Sequence, residues 1–312
     1  MTDQKSVLCV GALHFDRIAE CEKPLQMATS NPVRSHRSPG GVAHNIARNL
    51  KLLSRSVGMC SMIGDDGDDL KRYLSQQDIS HDLVNKSLQL PTANYTAVLD
   101  PGGELAFGLA DMAIYDQMDV PYLEENLEDM LTWPVWLIDA NLPADSLSFL
   151  TRHKDNQLVC AAPVSTRKAS RWDLPMVGSD IWIGNAMEAT ELTGIPSGSS
   201  EQALRAATAL FERGPDVVVV TLGPDGAVLK SEECAGHWSP PPTTVINVNG
   251  AGDSFYAGFL DAILCGNSPE DAMDQGIAVS SLTTESSDPV RMDICPELVT
   301  TRQSQVPHFR AL

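Results

Sequence analysis

The stretch Val245-Ile-Asn247-Val-Asn249-Gly250-Ala251-Gly252-Asp253-Ser-Phe-Tyr-Ala257-Gly258-Phe259 sets three tiny residues ahead of an aspartate and runs on into small, apolar residues suited to a helix. With no bulky side chain at Gly250, Ala251 or Gly252, backbone N–H groups lie open at a helix N-terminus. The helix dipole adds to them, and the result is an anion hole. Asp253 stands at its mouth, where a carboxylate can orient and deprotonate a hydroxyl that attacks a phosphoryl group. The same residues also suit a tight strand-to-helix turn with an acid in the first helical turn, favourable to the dipole without any ligand. On this stretch alone the two readings stand level.

A second stretch bears on the choice: Ser38-Pro39-Gly40-Gly41-Val-Ala-His44-Asn45-Ile-Ala-Arg48-Asn49-Leu-Lys-Leu-Leu53. Paired glycines before a helix let a ligand approach the backbone, and Asn45 offers a polyol both a donor and an acceptor. Ile46, Leu50 and Leu53 fall on one helical face, so Asn45 and Asn49 need not serve the core. Taken alone, a plain turn and helix explains these residues as well.

Between and around these stretches, apolar runs alternate with helical patterns. Val7 to Val10, Val57 to Ile63, Val135 to Ile138, Leu158 to Ala161, Ile181 to Ile183 and Val217 to Leu222 read as buried strands. Helices are expected over Val42 to Leu53, Asp66 to Gln77, Pro121 to Leu131, Glu188 to Thr193, Ser200 to Arg213 and Gly252 to Cys265. The alternation predicts one α/β domain over residues 1–312 with a mostly parallel sheet covered on both faces, its ligands at the carboxyl ends of the strands. Two segments, about 18–38 and 91–112, break the pattern. The second reads as a strand, a Pro101-Gly-Gly103 turn and another strand. Together they are expected to form a small sheet that acts as a lid. A free edge on such a sheet can take a second subunit, so a homodimer is expected.

At this point the sequence resembles the ribokinase-like (PfkB) family of carbohydrate and nucleoside kinases. Both family signatures are present in order, as Gly40-Gly41-x-x-x-Asn45-x-Ala47 and Asn247-Val-Asn-Gly250-Ala251-Gly252-Asp253-x-x-x-Ala257-Gly258. The resemblance implies the three-layer ribokinase-like sandwich, ATP and Mg²⁺ as cofactors, and K⁺ by analogy with potassium-activated relatives. It assigns Asp253 as base and the Gly250–Gly252 backbone as donors to the transferred group. By the same resemblance Asp16, in Gly11-Ala-Leu-His-Phe-Asp16, binds substrate hydroxyls with Gly40, Gly41, Asn45 and Asn141. Asn185 and Glu188 match an Asn-x-x-Glu pair that organises Mg²⁺ and its waters, although an Asn before a helix is equally a cap. Thr221, Gly223 and Gly226 match the strand and turn along which the nucleotide lies, and Asn247 joins the nucleotide side. Softer features resemble pseudouridine kinases: Ser30-Asn31-Pro32, Leu99-Asp100-Pro-Gly-Gly-Glu-Leu, Ala110-Asp111-Met112 and the Asn247-Val pair. They make pseudouridine the expected acceptor, with Asn31 and Asp111 near it or merely solvated. One departure is Ala162, before Pro163-Val164, where the matching stretch usually carries Asp; it leaves room for a slow enzyme or a nucleotide-binding regulator.

Composition closes off other classes. The 312 residues are 43% apolar, enough for a sizeable core. A net charge of −19, from 22 basic and 41 acidic side chains, repels a polyphosphate chain and argues against nucleic acid as a partner. Seven cysteines occur singly, with no CxxC pair, so neither a disulfide framework nor a zinc site is expected. The polar start and the absence of a long apolar run predict a cytoplasmic protein without contact to a membrane. GxxxxGK(S/T) and GxGxxG are both missing, which removes the P-loop and dinucleotide-binding readings.

Overall fold

The apolar runs become central strands because both faces of a parallel sheet are covered by helices, leaving few positions for a polar side chain. The computed structural model describes residues 5–307 and 309–311. Its strands are β1 (Val7–Val10), β2 (His14–Cys21), β3 (Val33–Gly40), β4 (Val57–Gly64), β5 (Ser80–Ser87), β6 (Asn94–Leu99), β7 (Leu105–Asp111), β8 (Val135–Asp139), β9 (Leu158–Ala162), β10 (Ile181–Asn185), β11 (Val217–Thr221), β12 (Ala227–Ser231), β13 (Ala235–Trp238) and β14 (Arg310–Ala311). Ten of them form the main sheet in the order β14-β13-β12-β11-β10-β9-β8-β1-β4-β5. From β11 to β5 every neighbouring pair is parallel. Beyond β11 the strands β12, β13 and β14 continue the sheet antiparallel.

Alternation along each strand builds two core layers. Val7 and Cys9 of β1 face one way, into a layer with Ile46, Leu50, Phe255 and Phe259. Leu8 and Val10 face the other, into a layer with Trp136, Trp172, Trp182, Leu147 and Leu210. Helices Val42–Leu52, Ala251–Leu264 and Pro269–Thr284 cover the first face. Helices Val120–Leu131, Ala144–His153 and Ser200–Phe211 cover the second. Each fully buried Leu, Val, Ile or Phe contributes roughly 1.5–3 kcal/mol relative to exposure, so a core of this extent readily supports the layers.

A second sheet of four strands, in the order β3-β2-β6-β7, stands apart from the first. Its strands fall largely within or beside the two segments that interrupt the alternation in the sequence. Strand β2 pairs antiparallel with β3, placing Asp16 opposite Ser38, and parallel with β6, placing Asp16 opposite Tyr95. Every residue of β7 is exposed. All seven cysteines are unpaired. Among the described residues no helix is long and apolar enough to cross a membrane.

Candidate active site

The parallel strands β1, β8, β9, β10 and β11 end along one edge of the main sheet, and Asn141, Asn185 and Thr221 lie at or just beyond those strand ends. Helix Ala251–Leu264 begins there, with Gly250 as its N-cap at φ 77°. A side chain at Gly250 would be strained by that φ and would also collide with the carbonyl of Pro289, so glycine is required. The Ala251 N–H already donates to Val248 O at 3.2 Å. The N–H groups of Gly250, Gly252 and Asp253 have no acceptor among the described residues. They, rather than Ala251, are the donors the turn leaves open. A Cβ built on Gly252 meets nothing within 4 Å, so the backbone there faces open space.

Asp253, in the first turn of that helix, is held from the other signature stretch: Asn45 Nδ2 donates to Asp253 Oδ2 at 2.8 Å. Burial pushes the Asp253 carboxyl up to about 7; the Asn45 amide pulls the other way, and the carboxylates of Asp139, Glu188 and Asp16 push further upward. A carboxyl poised near neutrality beside free N–H donors is suited to general-base work on a hydroxyl. Asn45 itself sits on the first turn of helix Val42–Leu52, just after Gly41 at φ 107°.

Asp16 lies at the start of the small sheet, its side chain 28% exposed, with Oδ1 3.2 Å from His14 Nε2. Its Oδ2 lies over Gly40, and any Cβ on Gly40 would occupy the same place. Asp16, Gly40, Gly41, Asn45 and Asp253 therefore form one contiguous surface between the two sheets.

Asn185 and Glu188 make a reciprocal capping box at the start of helix Ala186–Thr193. Asn185 Oδ1 accepts from Met187 N at 2.9 Å and Glu188 N at 3.0 Å, and Glu188 Oε2 accepts from Asn185 N at 2.8 Å. The cap thus uses both lone pairs of the Asn185 oxygen, which rules that atom out as a direct metal ligand here and leaves Nδ2 to meet a water or a phosphate. Glu188 Oε1 takes no part in the backbone cap. Only 5% exposed, its carboxyl is pushed up to about 7 by burial, against the Asn185 hydrogen bonds. Among the described residues no group of three or more His, Cys, Asp or Glu could hold a metal ion. Mg²⁺ commonly takes one or two carboxylates and completes its shell with waters and substrate phosphates.

The remaining predicted residues are placed unevenly. Thr221 closes β11 beside Asn185, and Gly223 and Gly226 form the following turn at φ 61° and 88°. Asn247 spends its side chain on its own loop, donating to Ser287 O at 2.8 Å and accepting from Asn249 N at 2.9 Å. Asn31 likewise folds onto its own turn, bonding to the backbone of Gln26 and Thr29. Asp111 is exposed at the end of β7. Asn141 is buried, and its side-chain oxygen accepts from Lys168 Nζ, a lysine whose pKa burial lowers despite the opposing pull of Asp139.

A family model described as pfkB family carbohydrate kinase matches residues 4–293. The chain belongs to that family. A pfkB kinase transfers phosphate to a hydroxyl of a small molecule, and the site above has the parts to do so. Among curated relatives, the pseudouridine kinase of Escherichia coli (strain K12) is 31% identical over 264 residues, 83% of each chain. A carbohydrate kinase from Agrobacterium tumefaciens superposes with a TM-score of 0.87 at 29% identity, covering 99% of this chain and 100% of its own. Arabidopsis thaliana ribokinase, solved with ribose and ATP, shares the fold at a TM-score of 0.82 and 20% identity, covering 96% of this chain and 98% of its own.

Three residues of this pfkB kinase site escaped the sequence reading. Asp139, wholly buried at the end of β8, accepts from Ala12 N at 2.9 Å, Ala43 N at 3.1 Å and Asn141 N at 2.8 Å. It pins the end of β1, the start of helix Val42–Leu52 and the end of β8 together. Its signal was available: a carboxylate closing the apolar run Val135-Trp-Leu-Ile-Asp139 needs a reason to be there. His14 and Tyr115 are the other two, and no spacing in the sequence connects them.

Proposed function

We propose that this pfkB kinase phosphorylates the 5′-hydroxyl of pseudouridine with ATP, giving pseudouridine 5′-phosphate, with Asp253 as the base. The observation that carries the reading is the Asn45–Asp253 pair beside the open N–H groups of Gly252 and Asp253. Asn45, Gly41 and Asp16 hold the acceptor's hydroxyls and aim the reacting one at Asp253. The carboxylate takes the hydroxyl proton as the oxygen attacks the γ-phosphorus, the bond from that phosphorus to the β–γ bridging oxygen breaks and ADP leaves, and the free N–H groups donate to charge gathering on the transferred phosphoryl. ATP lies along Thr221, Gly223 and Gly226 toward the same N–H groups. Glu188, through its carboxylate, would hold Mg²⁺ or one of its waters, and the Asn185 amide N–H would donate to a phosphate oxygen. Bound Mg²⁺ neutralises charge on the phosphates. The small sheet closes over the acceptor and keeps water from taking the phosphoryl group.

The choice of pseudouridine is supported by the E. coli relative at 31% identity and by the features around Asn31, Asp100 and Asp111. The test is ATP consumption by the purified chain with Mg²⁺ and K⁺, against pseudouridine, uridine, ribose and other sugars. Turnover confined to pseudouridine supports the reading, and turnover confined to another acceptor moves the substrate. A second reading, nucleotide binding with little turnover, rests on Ala162, a methyl group opposite Asp139 in the β8–β9 register. It predicts ATP binding with no acceptor consumed.

A further inference from the structure

Asp16 is oriented by a chain of hydrogen bonds that starts on the backbone. The phenol oxygen of Tyr115, 1% exposed, lies 3.0 Å from Leu13 N and 3.1 Å from His14 Nδ1. Leu13 N–H can only donate, so the phenol accepts there. Its own proton then goes to His14 Nδ1, the one acceptor within reach among the described residues. With Nδ1 accepting, the neutral ring carries its proton on Nε2, which donates to Asp16 Oδ1 at 3.2 Å. The opposite tautomer would leave the buried phenolic proton without an acceptor, at the cost of an unmade hydrogen bond. Donation therefore runs in one direction, from Leu13 through Tyr115 and His14 to Asp16.

The consequence lies at Asp16. One carboxylate oxygen is satisfied and fixed, and the other, Oδ2 over Gly40, has no partner among the described residues. The bonds also tie the small sheet to the main core: His14 begins β2, and Tyr115, four residues past the end of β7, is buried in the layer with Leu8 and Val10. We propose that His14 and Tyr115 are positioning residues that hold Asp16 with a single free oxygen turned to the Gly40–Gly41 turn as acceptor for a substrate hydroxyl. This rests on the reading of Asp16 as the acceptor's hydroxyl-binding group.

The test compares His14→Leu, His14→Gln and Tyr115→Phe in the full chain. A glutamine amide can stand where Nε2 stands and still donate to Asp16; leucine cannot. His14→Leu should raise the acceptor KM about ten-fold or more, the worth of one hydrogen bond to a charged group. The ATP KM and kcat should stay within about two-fold, and His14→Gln should recover most of the loss. Nitrogen NMR of labelled histidine, which needs no turnover, should show Nδ1 unprotonated and Nε2 protonated in the native chain, and in Tyr115→Phe the Nδ1 signal should move toward that of a nitrogen accepting no hydrogen bond. A protonated Nδ1 in the neutral native ring, or a glutamine variant as impaired as the leucine one, overturns the proposal. If no acceptor supports ATP consumption by the native chain, the kinase reading falls and takes the positioning role with it, whatever the tautomer.

Discussion

Asn45 Nδ2 reaches Asp253 Oδ2 across 2.8 Å, joining two residues 208 positions apart and locking the two signature stretches into one site. The amide favours the ionised carboxylate and so opposes the burial that pushes Asp253 to about 7. Asn45→Leu removes that opposition, and the Asp253 pKa rises further. Because a base works only when ionised, the acid limb of the kcat/KM profile should move to higher pH. Activity lost near pH 7 should return in part near pH 9. Asp253→Asn has no ionised form to recover and should lose about a hundred-fold or more at every pH. A pH profile of the three proteins checks both expectations.

The same raised pKa values act on stability. Asp253 and Glu188 are both pushed to about 7, above ordinary values of 3.8 and 4.5, chiefly by burial. Between those ordinary values and about 7 the folded chain holds protons that the unfolded chain has released. Stability present at low pH is therefore lost as the pH rises through that window. Asp253→Asn abolishes its share of the loss while keeping an oxygen to accept from Asn45. The ligand-free variant should melt a few °C higher than the native chain at pH 8, and no higher near pH 4. Thermal melts at the two pH values decide it; equal shifts at both would exclude a titration effect.

Two glycines make opposite predictions. Gly252 has nothing within 4 Å of where a Cβ would sit, so Gly252→Ala should fold normally and gain up to ~1 kcal/mol from helix propensity. If a phosphate approaches that backbone, the methyl group obstructs it, and turnover should still fall about ten-fold or more. Gly40→Ala instead drives a methyl group into Asp16 Oδ2. Its loss should appear in the acceptor KM, with the ATP KM near native. Steady-state kinetics beside a melting curve separates the two cases.

What the sequence made legible follows from chain locality. The central strands β1, β8 and β11 were readable because each is a short apolar run, and the two signatures because their glycines and polar groups stand close together. Strand β5 was not foreseen: Ser80–Ser87 lies at the sheet edge and carries His81, Asp82, Asn85 and Lys86 among only two buried apolar residues, Leu83 and Val84. Helix Pro269–Thr284 was missed for the opposite reason. It packs on helix Ala251–Leu264 with Gly276 against Phe255 and Val279 against Gly258, and its Ala272, Gly276 and Ala278 carry little apolar contrast. At the site, the residues read from motifs were found at the sheet edge. Those whose role depends on a partner far along the chain, such as Tyr115 for His14, leave no local pattern. Asn31 shows the converse, since Ser30-Asn31-Pro32 reads equally as a ligand contact or a turn, and the side chain bonds to its own turn.

Asn185 and Glu188 pose the sharpest choice, because one pair serves both a helix cap and a proposed Mg²⁺ contact. Glu188→Gln keeps an oxygen to accept from the Asn185 N–H, so the reciprocal cap survives and its stability share, about 1 kcal/mol, is retained. What it removes is the charge on the free oxygen. If that oxygen faces Mg²⁺, the metal concentration giving half-maximal turnover should rise about ten-fold, with little change in the melting temperature above the titration window's own effect. Asn185→Ala should behave the other way, losing the cap's stability first, since its oxygen is already committed to Met187 and Glu188 N–H. A Mg²⁺ titration of both variants, run with melting curves, distinguishes the roles. An unchanged metal requirement in Glu188→Gln would reduce the pair to its cap and move the Mg²⁺ contact to the phosphates and their waters alone.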